Sequence, residues 1–190
     1  SDSIDSHVAD TLATAAGIGD EQVIRHVIAA APRHIAQLRQ WGVAFDAEGD
    51  ELRLAREGGH SAARVAHAHG DATGRALVTA LLEKVRQAGR VKLWEECFVV
   101  DLLTDPPGGG GGAACVGVLT YHPRYGLQVV RARQTILAAG GAGALWRETT
   151  NPRTATGDAI ALAWRAGAVL ADLEMMQFHP TTLYIAGATR

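Results

Sequence analysis

The middle of the chain carries the pattern that most constrains its fold. Three runs rich in β-branched residues follow one another there: CFVVDLL, ACVGVLTY and LQVVRA. β-branched side chains favour an extended backbone, and the segment HPRYG between the second and third runs is typical of a hairpin turn. This part of the chain is therefore predicted to form an antiparallel meander. Further extended runs are expected at VKLWE before it and at QTILAA after it.

Helical periodicity precedes the meander. Between Asp20 and Gly42 apolar residues recur at steps of three and four, which predicts a helical stripe that Pro32 splits or kinks. A second helix is predicted to begin at Asp71 as its N-cap and to stop at Gly89. The inner face of this second helix is expected to consist of Leu77, Leu81, Leu82 and Val85.

A strand, a glycine turn, a loop and a helix are predicted after the meander. The run TILAAGGAG is typical of a strand that ends in a turn. Alanine and leucine at helical spacing from Ala159 to Ala166 predict a tightly packed helix that Gly167 ends.

Composition narrows the class of protein. The chain has 190 residues, 47% hydrophobic and 20% charged, which suits a globular domain able to bury a core. Eighteen basic and 20 acidic residues give a formal charge of -2. That balance is too near neutral for a protein that binds nucleic acid or an acidic membrane. The segment PPGGGGG is expected to be a solvated connector.

Cysteine usage and hydropathy bear on location. Cys97 and Cys115 lie in different predicted strands without the spacing of a disulfide framework or a zinc ribbon. No run reaches the roughly 18 apolar residues of a membrane span. A cytoplasmic protein without a membrane partner is therefore expected.

A glycine cluster and one aspartate are candidates for cofactor binding. Gly140, Gly141 and Gly143 follow a predicted strand, but the third glycine of a dinucleotide fingerprint is missing. A plain strand-to-loop turn is the stronger interpretation of the glycines alone. Asp158 stands where a helix begins, so it either caps that helix or binds a cofactor hydroxyl. Capping is the stronger interpretation of the aspartate alone.

The histidines of HSAARVAHAH invite a metal interpretation, which two features oppose. On a helix His67 and His69 would point to nearly opposite faces, and no further ligand stands at a usual spacing from His60. Two other residues could face a substrate. Glu57 lies beside a glycine pair in REGGHS, and His179 lies in QFHPT. The alternatives are a surface ion pair for Glu57 and a structural histidine in the core for His179.

Four strings together resemble a known flavoprotein family. They are REGGHSAARVAHAHGDATG, ILAAGGAGALWRETTNP, TGDAIALAWRAGA and LEMMQFHPTTLY. In this order and with these gaps they resemble the family of L-aspartate oxidases and of the succinate dehydrogenase and fumarate reductase flavoprotein subunits. REGGHS is most similar to the L-aspartate oxidase branch, because the respiratory subunits typically carry a glutamine at His60 and no glutamate at Glu57.

The resemblance implies a cofactor site for FAD. Asp158 resembles the family aspartate that hydrogen-bonds FAD, and the backbone at Ala139 and Gly140 resembles the strand end that passes close to the flavin nucleotide. Val99 resembles the position whose backbone meets the adenine. The fold implied is α/β. It is a partial Rossmann-like FAD-binding domain, with a parallel sheet, helices and an inserted antiparallel meander, but without the first βαβ unit and most of the capping domain.

The resemblance also implies a substrate site for L-aspartate or another dicarboxylate. Glu57 matches the glutamate that orients the substrate amino group, and His179 matches the histidine that binds a substrate carboxylate, with Gln177 beside it. The implied reaction oxidises L-aspartate to iminoaspartate with oxygen or fumarate as acceptor, and quinolinate synthase is the implied next enzyme. A respiratory dicarboxylate dehydrogenase and a non-catalytic remnant remain alternatives.

The resemblance divides the chain unequally. Residues 1–177 correspond to part of the FAD-binding domain, and residues 178–190 to the start of a substrate-capping domain. The family arginine that acts in catalysis is expected downstream, so no catalytic residue is assigned within this chain. The chain by itself is therefore expected to be inactive.

Overall fold

The computed structural model describes residues 2–70, 72–105 and 113–177. They belong to two compact units, Ser1–Lys92 and Leu93–Arg190. The first unit is mainly helical with two very small sheets, and the second contains a three-stranded sheet and a helix. The chain is thus mixed α/β, as predicted.

A helical hairpin forms the base of the first unit. Helix α1 spans Ile4–Ala15 and begins at a capping box in which Ser3 and Ser6 exchange side-chain to backbone hydrogen bonds. Helix α2 spans Glu21–Gln40. The two helices pack together, and each contributes one buried aliphatic residue: Val8 is 2% exposed and Ile28 is 8% exposed. These side chains form most of the small core between the helices.

Helix α2 is not split at Pro32. The helix runs unbroken for 20 residues with Pro32 inside it, so of the two expected effects, a split or a kink, the split does not occur. A proline removes one backbone donor, while the rest of the long helix keeps its ladder. The N-terminus of α2 is capped by Asp20, whose side chain accepts hydrogen bonds from the backbone N–H groups of Gln22 and Val23 at 2.9 and 3.1 Å.

Two short antiparallel ladders follow the hairpin. Strand β1, Ala47–Glu48, pairs with β2, Glu51–Leu52. Strand β3, Leu54–Ala55, pairs with β4, Val65–Ala66. The chain between β3 and β4 is a loop of residues 56–64. The HSAARVAHAH segment is therefore loop and strand rather than helix, which corrects the picture assumed for its histidines.

Helix α3 completes the first unit. It spans Thr73–Gln87, and Gly89 follows its C-cap with a φ of 64°, so the predicted helix and its glycine stop are confirmed. The N-cap of α3 is Ala72, which makes no side-chain capping bond, so the predicted N-cap at Asp71 is wrong; Asp71 itself lies outside the described residues. Leu77, Leu81 and Val85 are half-buried as predicted, whereas Leu82 is 37% exposed. No residue of α3 is fully buried.

One arginine joins α1 to the loop of residues 56–64. The Arg64 side chain is only 6% exposed, and its Nη2 lies 2.6 Å from Asp2 Oδ1 while its Nη1 lies 2.5 Å from Asp10 Oδ2. Asp10 Oδ2 also accepts hydrogen bonds from the backbone N and Oγ of Ser61, at 2.8 and 2.7 Å. Charged groups on both elements are thereby satisfied by each other.

The second unit contains the predicted meander. Strands β5, Phe98–Asp105, β6, Ala114–His122, and β7, Gly126–Arg131, form one antiparallel sheet in the order β5-β6-β7. The HPRYG segment makes the turn from β6 to β7, with Tyr125 N donating to His122 O at 3.2 Å. The meander and its hairpin are therefore confirmed.

The two outer extended runs are not strands. VKLWE and QTILAA join no ladder among the described residues, which corrects both expectations. A strand is stable only when a neighbour satisfies its backbone groups, and Ile136 in the second run is 90% exposed. Every ladder that the structure describes is antiparallel, so the parallel Rossmann-like sheet stays a prediction.

Helix α4 packs against the sheet of the second unit. It spans Asp158–Arg165, and Gly167 follows its C-cap with a φ of 87°, which confirms the predicted helix and stop. Leu162 is its buried residue. At its C-terminal end Arg165 donates to Asp101 Oδ1 at 3.2 Å and to the Val100 carbonyl at 3.0 Å. These bonds attach the end of α4 to β5.

Acid should destabilise the first unit through Asp10. The Ser61 backbone N–H and the Arg64 guanidinium lower the pKa of Asp10 to about 2 from a usual value of 3.8. The folded state thus keeps this carboxylate charged after the unfolded state has taken up a proton, and stability is lost as the pH falls from about 4 toward 2. We expect the urea midpoint of the chain to fall over this range. In Asp10→Asn the midpoint should be lower at pH 7 and its fall in acid shallower.

Asp5→Asn is the matched control for this pH dependence, since Asp5 is an exposed aspartate on the same helix. Parallel midpoint curves for Asp10→Asn and the unmodified chain between pH 5 and pH 2 would contradict the assignment.

A methyl group at Gly117 should disrupt the sheet. Gly117 has a φ of 153°, and a Cβ there would overlap the Val130 carbonyl oxygen of β7. We expect Gly117→Ala to lower the free energy of unfolding by about 1–3 kcal/mol, measured by urea denaturation. Gly141→Ala serves as the control, because a Cβ at Gly141 meets nothing within 4 Å. Equal midpoints for the two variants would show that the strands adjust without cost.

Candidate functional site

The predicted cofactor-binding backbone at Ala139 and Gly140 lies open on the second unit. Both residues are exposed. Gly140 has a φ of 78°, a left-handed backbone that disfavours a side chain, and a Cβ there would meet nothing within 4 Å. Exposed backbone without side chains is what a flat ligand needs for close approach. The role in cofactor binding that the resemblance implies for this backbone stays a prediction.

The glycine turn is tied to the segment that precedes α4. Gly157 N donates to Gly141 O at 3.1 Å, and Ala144 N donates to Ala155 O at 2.9 Å. Between these bonds Gly143 starts a short 3-10 helix, Gly143–Leu145. A Cβ on Gly143 would overlap the Asn151 side chain. The two loops can approach this closely because the residues at these positions have a small side chain or none.

Asp158 is not an N-cap. The N-cap of α4 is Gly157, with a φ of 77° and no side-chain capping bond, and Asp158 is the first helical residue. The capping interpretation favoured by the sequence alone is therefore wrong. Its carboxylate accepts a hydrogen bond from Thr156 Oγ1, and the residue is exposed. A carboxylate in this position can accept a further hydrogen bond from a ligand hydroxyl.

Val99 lies next to an irregularity of strand β5. It pairs with Thr120, whereas Asp101 pairs with Leu119, so Val100 is an extra residue in the ladder. The carbonyl of this extra residue accepts the hydrogen bond from Arg165. Helix α4 therefore links the β5 bulge to Asp158 at its other end, over roughly 10 Å at 1.5 Å per residue.

All four predicted cofactor residues lie in the second unit. The Gly141–Gly157 bond joins the turn of Ala139 and Gly140 to the start of α4, and the far end of α4 contacts the strand of Val99 through Arg165. Their role in binding a cofactor stays a prediction.

The predicted substrate residues are not gathered in one described site. Glu57 lies in the first unit, exposed in the loop of residues 56–64. Gln177 is the last described residue of the second unit and is also exposed. His179 lies outside the described residues. Each of these three assignments stays a prediction.

Glu57 lies on a tight turn that packs against helix α1. His60 N donates to Glu57 O at 3.2 Å, which closes the turn across the two glycines. Gly59 has a φ of 82°, and a Cβ there would lie 3.0 Å from Thr14 Oγ1 of α1. The turn of Glu57 therefore packs directly against α1, which fixes the position of its backbone.

Sequence reasoning missed the charged cluster beneath this turn. Arg64 Nη1 lies 3.2 Å from His60 Nδ1, and the His60 ring meets the His7 ring edge-on with centroids 5.4 Å apart. Burial and the nearby Arg64 lower the pKa of His7, which favours a neutral His7. The available signal was Arg64 itself, a lone cation in the otherwise small and apolar run AARVA.

The remaining histidines of this segment surround Asp46. His67 Nε2 lies 3.4 Å from Asp46 Oδ2, and the backbone N of His69 donates to Asp46 Oδ1 at 2.9 Å. The backbone hydrogen bond from His69 lowers the pKa of Asp46. Among residues 2–70, 72–105 and 113–177, no group of three histidine, cysteine, aspartate or glutamate side chains could hold a metal ion.

No helix in the described part of the chain has the length and apolar character needed to cross a bilayer.

Comparison with known proteins identifies the family. The model for the FAD binding domain matches residues 1–189. L-aspartate oxidase 1 of Ralstonia nicotianae is 46% identical over 187 residues, which cover 96% of this chain and 35% of that protein. The chloroplastic L-aspartate oxidase of Arabidopsis thaliana is 43% identical over 185 residues, 96% of this chain and 28% of that protein.

A solved structure shows the same fold. FrdA of the E. coli quinol fumarate reductase superposes with a TM-score of 0.77 at 28% identity, over 86% of this chain and 27% of that chain. The chain spans about a third of the length of the curated relatives it matches. The exposed glycine turn and carboxylate of the second unit fit the cofactor that the family name states. The chain therefore belongs to the FAD binding domain family, in agreement with the resemblance of its sequence motifs, and its cofactor is FAD.

Proposed function

We propose that the protein carrying this chain oxidises L-aspartate to iminoaspartate with FAD as cofactor. The observation that carries this proposal is the 46% identity to an L-aspartate oxidase over 96% of the chain. The exposed Glu57 supports it, because a carboxylate can pair with the ammonium group that distinguishes aspartate from succinate. When bound, FAD supplies the hydride acceptor for the substrate Cα.

The residues of this chain bind and orient. We propose that Asp158 accepts a hydrogen bond from a cofactor hydroxyl, while the backbone of Ala139, Gly140 and Val99 lines the cofactor. Glu57 holds the substrate ammonium, and His179 with Gln177 holds a carboxylate. Holding the substrate at its ammonium and at a carboxylate fixes the direction in which its single Cα hydrogen points.

The finer assignments follow the same resemblance. Residues 1–177 belong to a Rossmann-like FAD-binding domain and residues 178–190 to the start of a capping domain. Oxygen or fumarate reoxidises the cofactor, quinolinate synthase takes the product for NAD synthesis, and the location is cytoplasmic. Since the chain spans about a third of its relatives, we propose that it does not turn over by itself.

A respiratory dicarboxylate dehydrogenase is the second candidate. The observation in its favour is the structural similarity to FrdA of a quinol fumarate reductase. Glu57 does not favour a respiratory dehydrogenase, because succinate carries no ammonium with which that carboxylate could pair. A non-catalytic role is the third candidate.

A chimera can test the substrate without depending on the rest of this protein. This chain would replace the matching segment of the Ralstonia nicotianae L-aspartate oxidase 1. We expect the purified chimera to retain FAD and to release peroxide with L-aspartate but not with succinate. In Glu57→Gln, kcat/KM for L-aspartate should fall about 10- to 100-fold, as expected for loss of a charge-assisted hydrogen bond.

Glu51→Gln is the control for the Glu57 variant, because Glu51 is also exposed and lies in β2 of the same unit. A chimera that holds FAD but prefers succinate would favour the respiratory alternative. One that holds FAD and oxidises neither substrate would favour the non-catalytic one.

Asp158 can be tested through cofactor affinity. In the chimera, Asp158→Asn should weaken FAD binding about 10-fold or more, because an ionised acceptor is replaced by a neutral one. The measurement is a titration of the deflavinated protein with FAD, followed by fluorescence. Asp172→Asn is the control, since Asp172 is an exposed aspartate of the same unit. Equal dissociation constants for Asp158→Asn and the control would remove Asp158 from the cofactor site.

A further inference from the structure

We infer that Arg64 is a positioning residue that holds His60 in its neutral Nε2–H tautomer, so that the turn of Glu57 also presents a hydrogen-bond donor suited to a carboxylate. The role toward a substrate rests on the proposed function. The tautomer and its cause rest on the geometry of the first unit alone.

The donors of Arg64 are almost all accounted for. Its Nε and Nη2 bind the two carboxylate oxygens of Asp2 at 2.9 and 2.6 Å, a bidentate pair. One hydrogen of Nη1 goes to Asp10 Oδ2 at 2.5 Å. The second Nη1 hydrogen has His60 Nδ1 at 3.2 Å as its partner. The guanidinium is therefore oriented by two carboxylates before it meets the histidine.

This contact has only one chemically consistent form. A guanidinium is always protonated and offers donors only. His60 Nδ1 must therefore be the acceptor, which leaves the ring proton on Nε2. A protonated ring would instead place an N–H of His60 against an N–H of Arg64, with two positive charges in contact. In this contact a neutral His60 ring therefore has one defined tautomer.

Among the described residues the aromatic ring that meets His60 is that of His7, at 62° to its plane. Burial together with Arg64 lowers the pKa of His7. The two carboxylates of Asp2 and Asp10 are already engaged by Arg64. His60 therefore meets one fixed cation and one neutral ring within this cluster.

The position of His60 connects the cluster to the proposed substrate site. His60 closes the turn of Glu57 through its backbone N–H at 3.2 Å, and the next residue, Ser61, binds Asp10. Arg64 thus orients the ring through Nδ1 and holds the backbone of the same turn through Asp10. Glu57 would meet an ammonium, and the His60 Nε2–H would meet a carboxylate of the same amino acid.

Long-range 1H–15N NMR of the histidine rings in the 190-residue chain tests this inference. At pH 8 we expect His60 to show a single tautomer, with Nδ1 unprotonated and shifted by an accepted hydrogen bond. His34 is exposed on α2 and serves as the internal reference for an averaged mixture of tautomers. If His60 shows the averaged shifts of His34, or a proton on Nδ1, the inference is wrong, whatever any variant does.

Three variants separate positioning from simple stabilisation. In Arg64→Met His60 should revert to the averaged pattern of His34. In Arg64→Lys the charge remains but the planar fork is lost, so the fold should be kept better than in Arg64→Met while the His60 signal still reverts. Arg25→Met is the matched control, because Arg25 forms a 2.6 Å pair with Asp5 that is exposed, and the His60 signal should be unchanged.

A folded Arg64→Lys or Arg64→Met protein in which His60 keeps its single tautomer would overturn the inference. Since these spectra need neither FAD nor substrate, their outcome is independent of whether the chimera oxidises L-aspartate.

Discussion

The buried guanidinium of Arg64 is the interaction on which the geometry of the first unit depends. A cation that is 6% exposed needs partners that compensate the water it has lost. Asp2 and Asp10 lie before and within α1, and Asp10 also binds the backbone of Ser61. Because one carboxylate serves both the arginine and the loop backbone, α1 and the turn of Glu57 are held in one arrangement.

In the second unit close backbone approach acts together with an ion pair between Arg165 and Asp101. Residues without bulky side chains allow the turn after Ala139 to bond directly to the segment before α4. Arg165 then attaches the far end of α4 to the bulge at Val100. Ala139, Gly140 and Asp158 are exposed and Val99 is half-buried, and hydrogen bonds to backbone carbonyls hold the segments that carry them. A site built this way can bind a ligand without reorganising.

Local signals in the sequence predicted the regular elements well. The meander follows from β-branched runs and a hairpin turn, and α4 follows from helical spacing and Gly167; neither depends on distant residues. The strand expected in QTILAA failed because a strand needs a partner, and local pattern does not supply one. The N-cap assigned to Asp158 failed because Gly157 adopts a left-handed backbone and takes the cap position one residue earlier.

The candidate site divides in the same way. The sequence by itself indicated the family and FAD, because the motifs REGGHS, AAGG and TGDA follow one another in an order that resembles that family. Only the tertiary structure decided which residues support the turn of Glu57. Arg64 lies 54 positions after Asp10 and 62 positions after Asp2 in the sequence, yet its guanidinium binds both carboxylates. Sequence spacing carries no information about such pairs, because burial of a charge selects its partners in space rather than along the chain.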